Sequence, residues 1–295
     1  MNKEKFAQAA PPPAGLSRRS FLKAAARVTA GAAFASATGS LYAAWLEPQW
    51  ISVESVEVRL KRLPAVFDGF RLAQLSDFHS DTTPGDVIAS AVDAAQALEA
   101  DAIALTGDYV TNSLDRLDEC LAHIARLRPR AGLYGILGNH DIWVRRPERL
   151  AARLEARGVA MLLNQSRAIE RDGRRLWIVG VDDGWERRAD LELALRGVPA
   201  DDVKILLMHE PDFADNAANY PIDLQLSGHS HGGQVRLPVV GALRLPRYGR
   251  KYPMGLRQIR GLQLYTSRGV GMIRPAVRFN CRPEVTLVTL RSAGG

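Results

Sequence analysis

What the chain has little of narrows its chemistry first. Two cysteines among 295 residues, Cys120 and Cys281, make neither a disulfide framework nor a thiolate metal motif. Cys120 falls in a helical pattern and reads as a small buried apolar residue. There is no internal repeat and no long low-complexity tract, which leaves an ordinary globular class. Acids are absent over a long stretch: from Leu224 through Pro283 there is no Asp or Glu, against eleven basic residues. Those are Arg236, Arg244, Arg247, Arg250, Lys251, Arg257, Arg260, Arg268, Arg274, Arg278 and Arg282. Such a span is either a solvated basic face or a positive field around an anionic substrate or a membrane surface.

The overall charge of +7 is less informative than it looks. Residues 1 to 45 carry six basic residues against Glu4, a net of +5, so only +2 remains for the rest. No nucleic-acid partner is expected from a balance of that size. The same 45 residues have the layout of a targeting segment. A polar stretch with Pro11-Pro12-Pro13 is read as disordered. It precedes Ser17-Arg18-Arg19-Ser20-Phe21-Leu22-Lys23 and then a mildly apolar Ala/Gly-rich run to about Ala44. The paired arginines with Phe, Leu and Lys resemble the bacterial twin-arginine export signal. The run is long enough to cross a bilayer but weakly apolar for a permanent anchor. The expectation is a signal or membrane anchor over 1–45 and a single catalytic domain of roughly 250 residues over 46–295.

Within that domain, short apolar strands alternate with helices. Strands are expected over 51–60, 71–75, 102–105, 132–137, 160–163, 167–171, 176–181, 204–208, 222–226, 262–266 and 285–290. Helices are expected after Pro84, over 114–127, over 147–156 and near Leu191. Many of the strands end in a polar cluster, as open α/β sheets present their sites. The fold class expected is α/β (α+β): a four-layer αββα sandwich of two mixed sheets flanked by helices.

The clusters hold Asp77, His79, Asp108, Asn139, His140, Asp141, His209, His229 and His231. Five of the six histidines lie in them, and only His123, in a helical pattern without partners, does not. Each alone has an ordinary explanation. An Asp after a strand is commonly a helix cap, Asn-His-Asp is a turn, and His209 before Glu210-Pro211 is a packed loop histidine. Their conjunction is harder to dismiss. Imidazole and oxygen ligands without thiolates suit Mn, Fe or Zn in a catalytic setting. There are more ligands than one ion can use. Two divalent ions sharing a carboxylate, ~3.5–4 Å apart, account for the surplus.

Asp77-x-His79, Gly107-Asp108, Gly138-Asn139-His140-Asp141, His209 after a strand and Gly228-His229-x-His231 resemble, in that order, the calcineurin-like metallophosphoesterases. The resemblance spans residues 68 to 292. With the leader and the tail Ser267-Arg268-Gly269-Val270-Gly271, it points to a twin-arginine-exported phosphodiesterase subgroup. It implies that Asp77, His79 and His231 hold one ion, that Asp108 bridges, and that Asn139, His209 and His229 complete the other. It implies hydrolysis by a metal-bridging hydroxide. His140 would contact phosphate and the leaving oxygen, and Asp141 would accept from the other His140 ring nitrogen.

The expected activity is therefore hydrolysis of a phosphodiester or pyrophosphate bond in an envelope-associated substrate, such as a glycolipid. The twin-arginine translocation machinery would be a partner, the location extracytoplasmic, and membrane association is expected. A phosphomonoesterase or nucleotide-scavenging enzyme is the alternative activity. A non-catalytic, metal-containing envelope-binding protein is the alternative class.

Overall fold

Apolar runs without polar alternation form strands here because both faces of each sheet are covered. The computed structural model describes residues 18–144 and 146–293, so the Pro-rich stretch and Ser17 of the signal-like motif lie outside the described residues. The chain divides into two units at Tyr42 and Ala43. The first contains helix α1, Arg18–Leu41, whose Ala-rich composition favours helix. No described helix is long and apolar enough to cross a membrane.

The second unit begins its sheets with β1 (Ser52–Leu60) and β2 (Arg71–Leu75), followed by α2 (Gly85–Ala97) and β3 (Ala102–Leu105). Then come α3 (Leu117–Ile124), β4 (Leu133–Gly135), the single turn α4 (Asn139–Trp143), α5 (Pro147–Glu155) and β5 (Ala160–Met161). The strands β6 (Gln165–Arg171) and β7 (Arg174–Gly180) form a hairpin, and α6 (Leu191–Ala194) leads to β8 (Val203–Leu207). Helix α7 (Ala214–Ala217) precedes β9 (Leu224–Ser227), and the short strands β10 (Arg236–Leu237) and β11 (Gly241–Ala242) form a small hairpin of their own. The last strands are β12 (Gly255–Ile259), β13 (Leu262–Thr266) and β14 (Glu284–Ser292).

Two six-stranded sheets result, in the orders β1-β14-β2-β3-β4-β5 and β12-β13-β9-β8-β7-β6. Strands β2 to β5 run parallel, as do β7, β8, β9 and β13; β14 pairs parallel with β1 and antiparallel with β2, and β12–β13 and β6–β7 are antiparallel edge pairs. Leu72, Ala104, Ile136 and Val288 of the first sheet meet Ile178, Ile205, Leu207 and Leu226 of the second in a buried layer. Successive residues point to opposite faces. Ala73, Leu75 and Ile103 therefore face α2, α3 and α5 through Val92, Leu121 and Leu154. On the other side, Val179, Leu206 and Leu264 pack with Leu191 and Ala217. These are the four expected layers.

One polar residue breaks the inner apolar pattern. Gln74, fully buried, donates from its amide to Thr106 Oγ1 and to the Ser227 carbonyl, both at 2.9 Å. It ties the carboxyl ends of β2 and β9 together across the sandwich, where the polar clusters emerge. The expected strand over 132–137 shrinks to Leu133–Gly135, and the helix over 114–127 to Leu117–Ile124. The residues outside β4 are irregular, and turns at 115–116 and 125–126 flank the helix. The edge strand β12 and the β10–β11 hairpin were not anticipated, because their residues lack clear alternation.

Ile205 sits in the middle of the inter-sheet layer, fully buried. Ile205→Ala should lower stability by about 2–5 kcal/mol, whereas Val53→Ala, at an exposed position of β1, should change it by less than about 0.5 kcal/mol. Urea unfolding midpoints check both.

Candidate metal centre and active site

The strand ends do not simply stop; they turn back. Asp77, His79, Asp108, His229 and His231 all have positive φ, between 45° and 68°. Non-glycine residues adopt that conformation only where the surroundings hold them there. Here it swings side chains from different strands toward one point. Asp77, His79 and His231 place ligand atoms within 4.8 Å of one another, and so do Asp108, His209 and His229. All six are buried. Asp108 joins the groups: its Oδ2 lies 3.0 Å from His209 Nε2 and 3.5 Å from His79 Nε2. Gly228 must be glycine, since a Cβ there would lie 2.0 Å from Ser76 Oγ and 2.3 Å from Asp77 Oδ2.

Hydrogen bonds made by the other ring nitrogens fix which nitrogen is left for a cation. A carbonyl only accepts, so His209 Nδ1, 2.6 Å from the Thr106 carbonyl, carries a proton, and Nε2 is the nitrogen that faces the Asp108 carboxylate. By the same logic His229 donates from Nε2 to the Arg247 carbonyl at 2.7 Å, leaving Nδ1. His229 Nδ1 and the Oδ1 of buried Asn139 have no hydrogen-bond partner among the described residues. His79 Nε2 and His231 Nε2 face each other at 3.1 Å, close to Asp77. Buried polar atoms left without partners are costly. Lone pairs converging on two points beside two carboxylates are the environment a pair of divalent cations satisfies. The residues present therefore fit two ions. His123 belongs to neither group.

Burial shapes the titration of these groups. It lowers His79 and His229 to about 3 and His231 well below the usual imidazole range, keeping them neutral with a lone pair available. Burial raises Asp77 to about 6. His209 differs: burial lowers its pKa, but the Asp108 carboxylate outweighs this and raises it well above normal. A cation taking that position displaces the proton, so occupancy is linked to proton release.

Asp141 departs from its expected part. Its carboxylate does not accept from His140. Its Oδ1 accepts from Tyr109 N at 2.9 Å and Val110 N at 3.2 Å, and its Oδ2 from Asp108 N at 2.8 Å and Gly138 N at 3.0 Å. It therefore holds two ligand-bearing turns, those of Asp108 and Asn139, in one rigid piece. The reason is geometric: at the start of α4, Asp141 faces the unpaired N–H groups of a helix N-terminus and of the turn beside it. His140 is oriented by a different group. Its Nδ1 donates to the Thr111 carbonyl at 2.7 Å, which leaves Nε2 unprotonated in the neutral ring. The His140 ring is only half-buried and stands 5.0 Å from the His79 ring, edge to face.

The family profile described as calcineurin-like phosphoesterase matches residues 70–233, which include both ligand groups. The chain belongs to that family. It is a metal-dependent phosphoester hydrolase. It is 34% identical over 282 residues to the uncharacterized metallophosphoesterase YkuE of Bacillus subtilis (strain 168), covering 94% of this chain and 98% of that protein. It is 31% identical over 285 residues to the phosphodiesterase YaeI of Escherichia coli (strain K12), covering 93% and 99%. Among solved structures, a dimetal phosphatase from Danio rerio aligns over 69% of this chain and 88% of its own, at 12% identity and a TM-score of 0.44.

Several residues of this phosphoesterase's site are not legible as ligands or acids. Arg278 and Arg268 looked like part of an exposed basic field. Arg278 is instead fully buried and donates to the carbonyls of Cys281, Arg268, Gly269 and Gly271. It thereby secures the loop whose Gly269 packs against Asp77. Arg268 pairs with Glu54 and Glu284. Over the ligands stands an aromatic wall. Trp143 packs on His140 with ring centroids 4.6 Å apart, and Trp185 packs on Trp143, His229 and Tyr248 at 5.5–5.8 Å. Buried Glu210, next to His209, accepts from the Gly184 and Trp185 amides and so positions this wall. The one sequence signal was Trp143, three residues from His140 on one helical turn.

Asp141→Asn separates the observed role from the expected one. An amide NH2 would face two backbone N–H groups, costing about 3 kcal/mol and loosening the Asp108 turn. The variant should unfold at lower urea and bind less metal by elemental analysis. A residue that only oriented His140 would leave both readouts unchanged.

Proposed function

We propose that this phosphoesterase is a dinuclear phosphodiesterase acting on a phosphodiester or pyrophosphate bond of an envelope-associated substrate such as a glycolipid. The observation that carries it is the placement of half-buried His140, with Nε2 available, beside two ligand groups that share Asp108. Asp77, His79 and His231 would hold one ion, Asn139, His209 and His229 the other, with Asp108 placed to serve both. Manganese, iron or zinc suits these donors. When bound, such ions neutralise phosphoryl oxygens and make water nucleophilic at neutral pH.

The remaining work belongs to the chain's own residues. Protonated at Nε2, His140 donates to a phosphoryl or leaving oxygen, while the Thr111 carbonyl keeps its Nδ1 proton in place. Asp141 keeps the Asp108 and Asn139 turns from moving as charge redistributes. Trp143, Trp185 and Tyr248 form an apolar wall that sheds water and accepts an ester substituent. A diester carries two substituents and a single negative charge, so such a wall favours it over a dianionic monoester. The Arg18-Arg19 motif supports export by the twin-arginine route and work on the outer side of the cytoplasmic membrane, through that translocation machinery.

Turnover, metal content and cell fractionation test this reading. Metal-loaded protein should hydrolyse bis(p-nitrophenyl) phosphate faster than the monoester and lose activity on chelation. Asp108→Ala and His229→Ala should abolish turnover with the fold intact by circular dichroism. His140→Ala should lower kcat roughly 10²–10⁴-fold with metal content retained. A metal-replete protein that cleaves neither ester would refute it. Separately, Arg18→Lys with Arg19→Lys should hold the protein in the cytoplasm on cell fractionation; unchanged export would exclude the twin-arginine route.

A further inference from the structure

The sequence directly after His231 forms a feature that hydrolysis does not explain. Strands β10 and β11 pair with Leu237 opposite Gly241, leaving Pro238-Val239-Val240 as the loop. That tip is apolar and stands in solvent. Val239 is completely exposed, Val240 is 71% exposed and Leu243 58% exposed. Val239 also has a φ of +66°, an unfavourable conformation for a β-branched residue. Aliphatic residues gathered at one exposed point, rather than scattered singly, mark an interaction site.

The surroundings say what that site fits. Of the eleven basic residues in the acid-free span, only Lys251 and Arg268 form ion pairs among the described residues. Arg244 follows Leu243 directly and is exposed. Arg274, also exposed, lies between Ile273 and Pro275, whose carbonyls accept from Gln234 at the hairpin base. A second apolar set is tied to the same base. Arg236 N donates to the Phe279 carbonyl, and the next residue, Asn280, donates from N to Glu47. Glu47 is flanked by exposed Trp45, Leu46 and Trp50, with the Arg282 guanidinium 4.5 Å over the Trp50 ring. Protein-binding hot spots favour aromatic anchors in pockets. An aliphatic tip fringed by arginines, with tryptophans nearby, has instead the chemistry of the interface of an anionic bilayer.

We propose that the β10–β11 hairpin docks this domain onto an anionic lipid surface by inserting Val239 and Val240 among the headgroups. The hairpin is joined directly to the metal centre. Arg236 donates to the Gly232 carbonyl at 2.7 Å, one residue after His231, and a Cβ on Gly233 would meet Ala242 at 2.4 Å. Docking therefore brings the ligand cluster close to phosphoesters in the surface. This deepens the envelope-associated reading above, but vesicle binding is read without turnover, so the two fail separately.

The test uses the full chain with vesicles of phosphatidylglycerol or of phosphatidylcholine. Co-sedimentation should favour phosphatidylglycerol and weaken at high salt. Val239→Ser with Val240→Ser, and separately Arg244→Gln with Arg274→Gln, should each lower partitioning roughly tenfold. Hydrolysis of soluble bis(p-nitrophenyl) phosphate should stay unchanged in both. A bimane on Val239→Cys, with the native Cys120 and Cys281 buried, should shift to the blue on vesicles and be quenched by brominated acyl chains. A bound protein whose label is neither shifted nor quenched overturns the proposal, because it is attached through another part such as α1. Absence of any vesicle binding overturns it as well.

Discussion

The site depends on one carboxylate that touches no substrate and no ligand atom. Asp141 collects four backbone N–H groups from two separate turns, one carrying Asp108 and the other carrying Asn139 and His140. Burial and the neighbouring Asp108 carboxylate raise the Asp141 pKa well above normal, against the pull of those donors. A second buried carboxylate so close to Asp108 is electrostatically expensive. It persists because the alternative, four buried N–H groups without acceptors, is worse. Gly138 adds to the constraint. A Cβ at that position would lie 2.3 Å from Asp108 Oδ1, so the two turns approach as closely as backbone allows.

From this clamp the rest follows by packing. Gln74 locks the end of β2 to the end of β9, which carries Gly228-His229-Ser230-His231. His229 N in turn donates to the Asp77 carboxylate, at 3.0 Å and 3.2 Å. Arg278 closes the far side by holding the 268–271 loop against Asp77. Each device fixes a residue whose positive φ would otherwise relax. The strain is distributed over five residues in three turns, and the two sheets behind them are rigid enough to hold it.

Much of this was legible because ligand chemistry is written in residue types. Five histidines and three aspartates at strand ends declare a metal site, and unalternating apolar runs declare covered parallel strands. Geometry set by the backbone was not legible. No residue type announces that Asp77 and His231 will sit at positive φ, or that Thr106 and Thr111 contribute carbonyls that set histidine tautomers. The part expected of Asp141 failed for the same reason. Adjacency to His140 suggested a side-chain partner, while the helix start turned the carboxylate toward backbone amides. Arg278 was misread because sequence shows its charge and not its burial.

The acid-free span then acquires a physical rationale in two tiers. Its inner arginines, 268 and 278, work on carboxylates and carbonyls that hold the Asp77 turn. Its outer arginines form no ion pair among the described residues, and exposed Arg244 directly follows the aliphatic tip. An Asp or Glu anywhere in this stretch would have offered the inner guanidiniums a competing partner. It would also have cancelled the outer field, whose reach in physiological salt is only about 8 Å. A field that short acts on a surface already within contact distance. In the docking proposed above, the apolar tip and the arginines operate on the same few ångströms of interface, next to the candidate metal-ligating histidines.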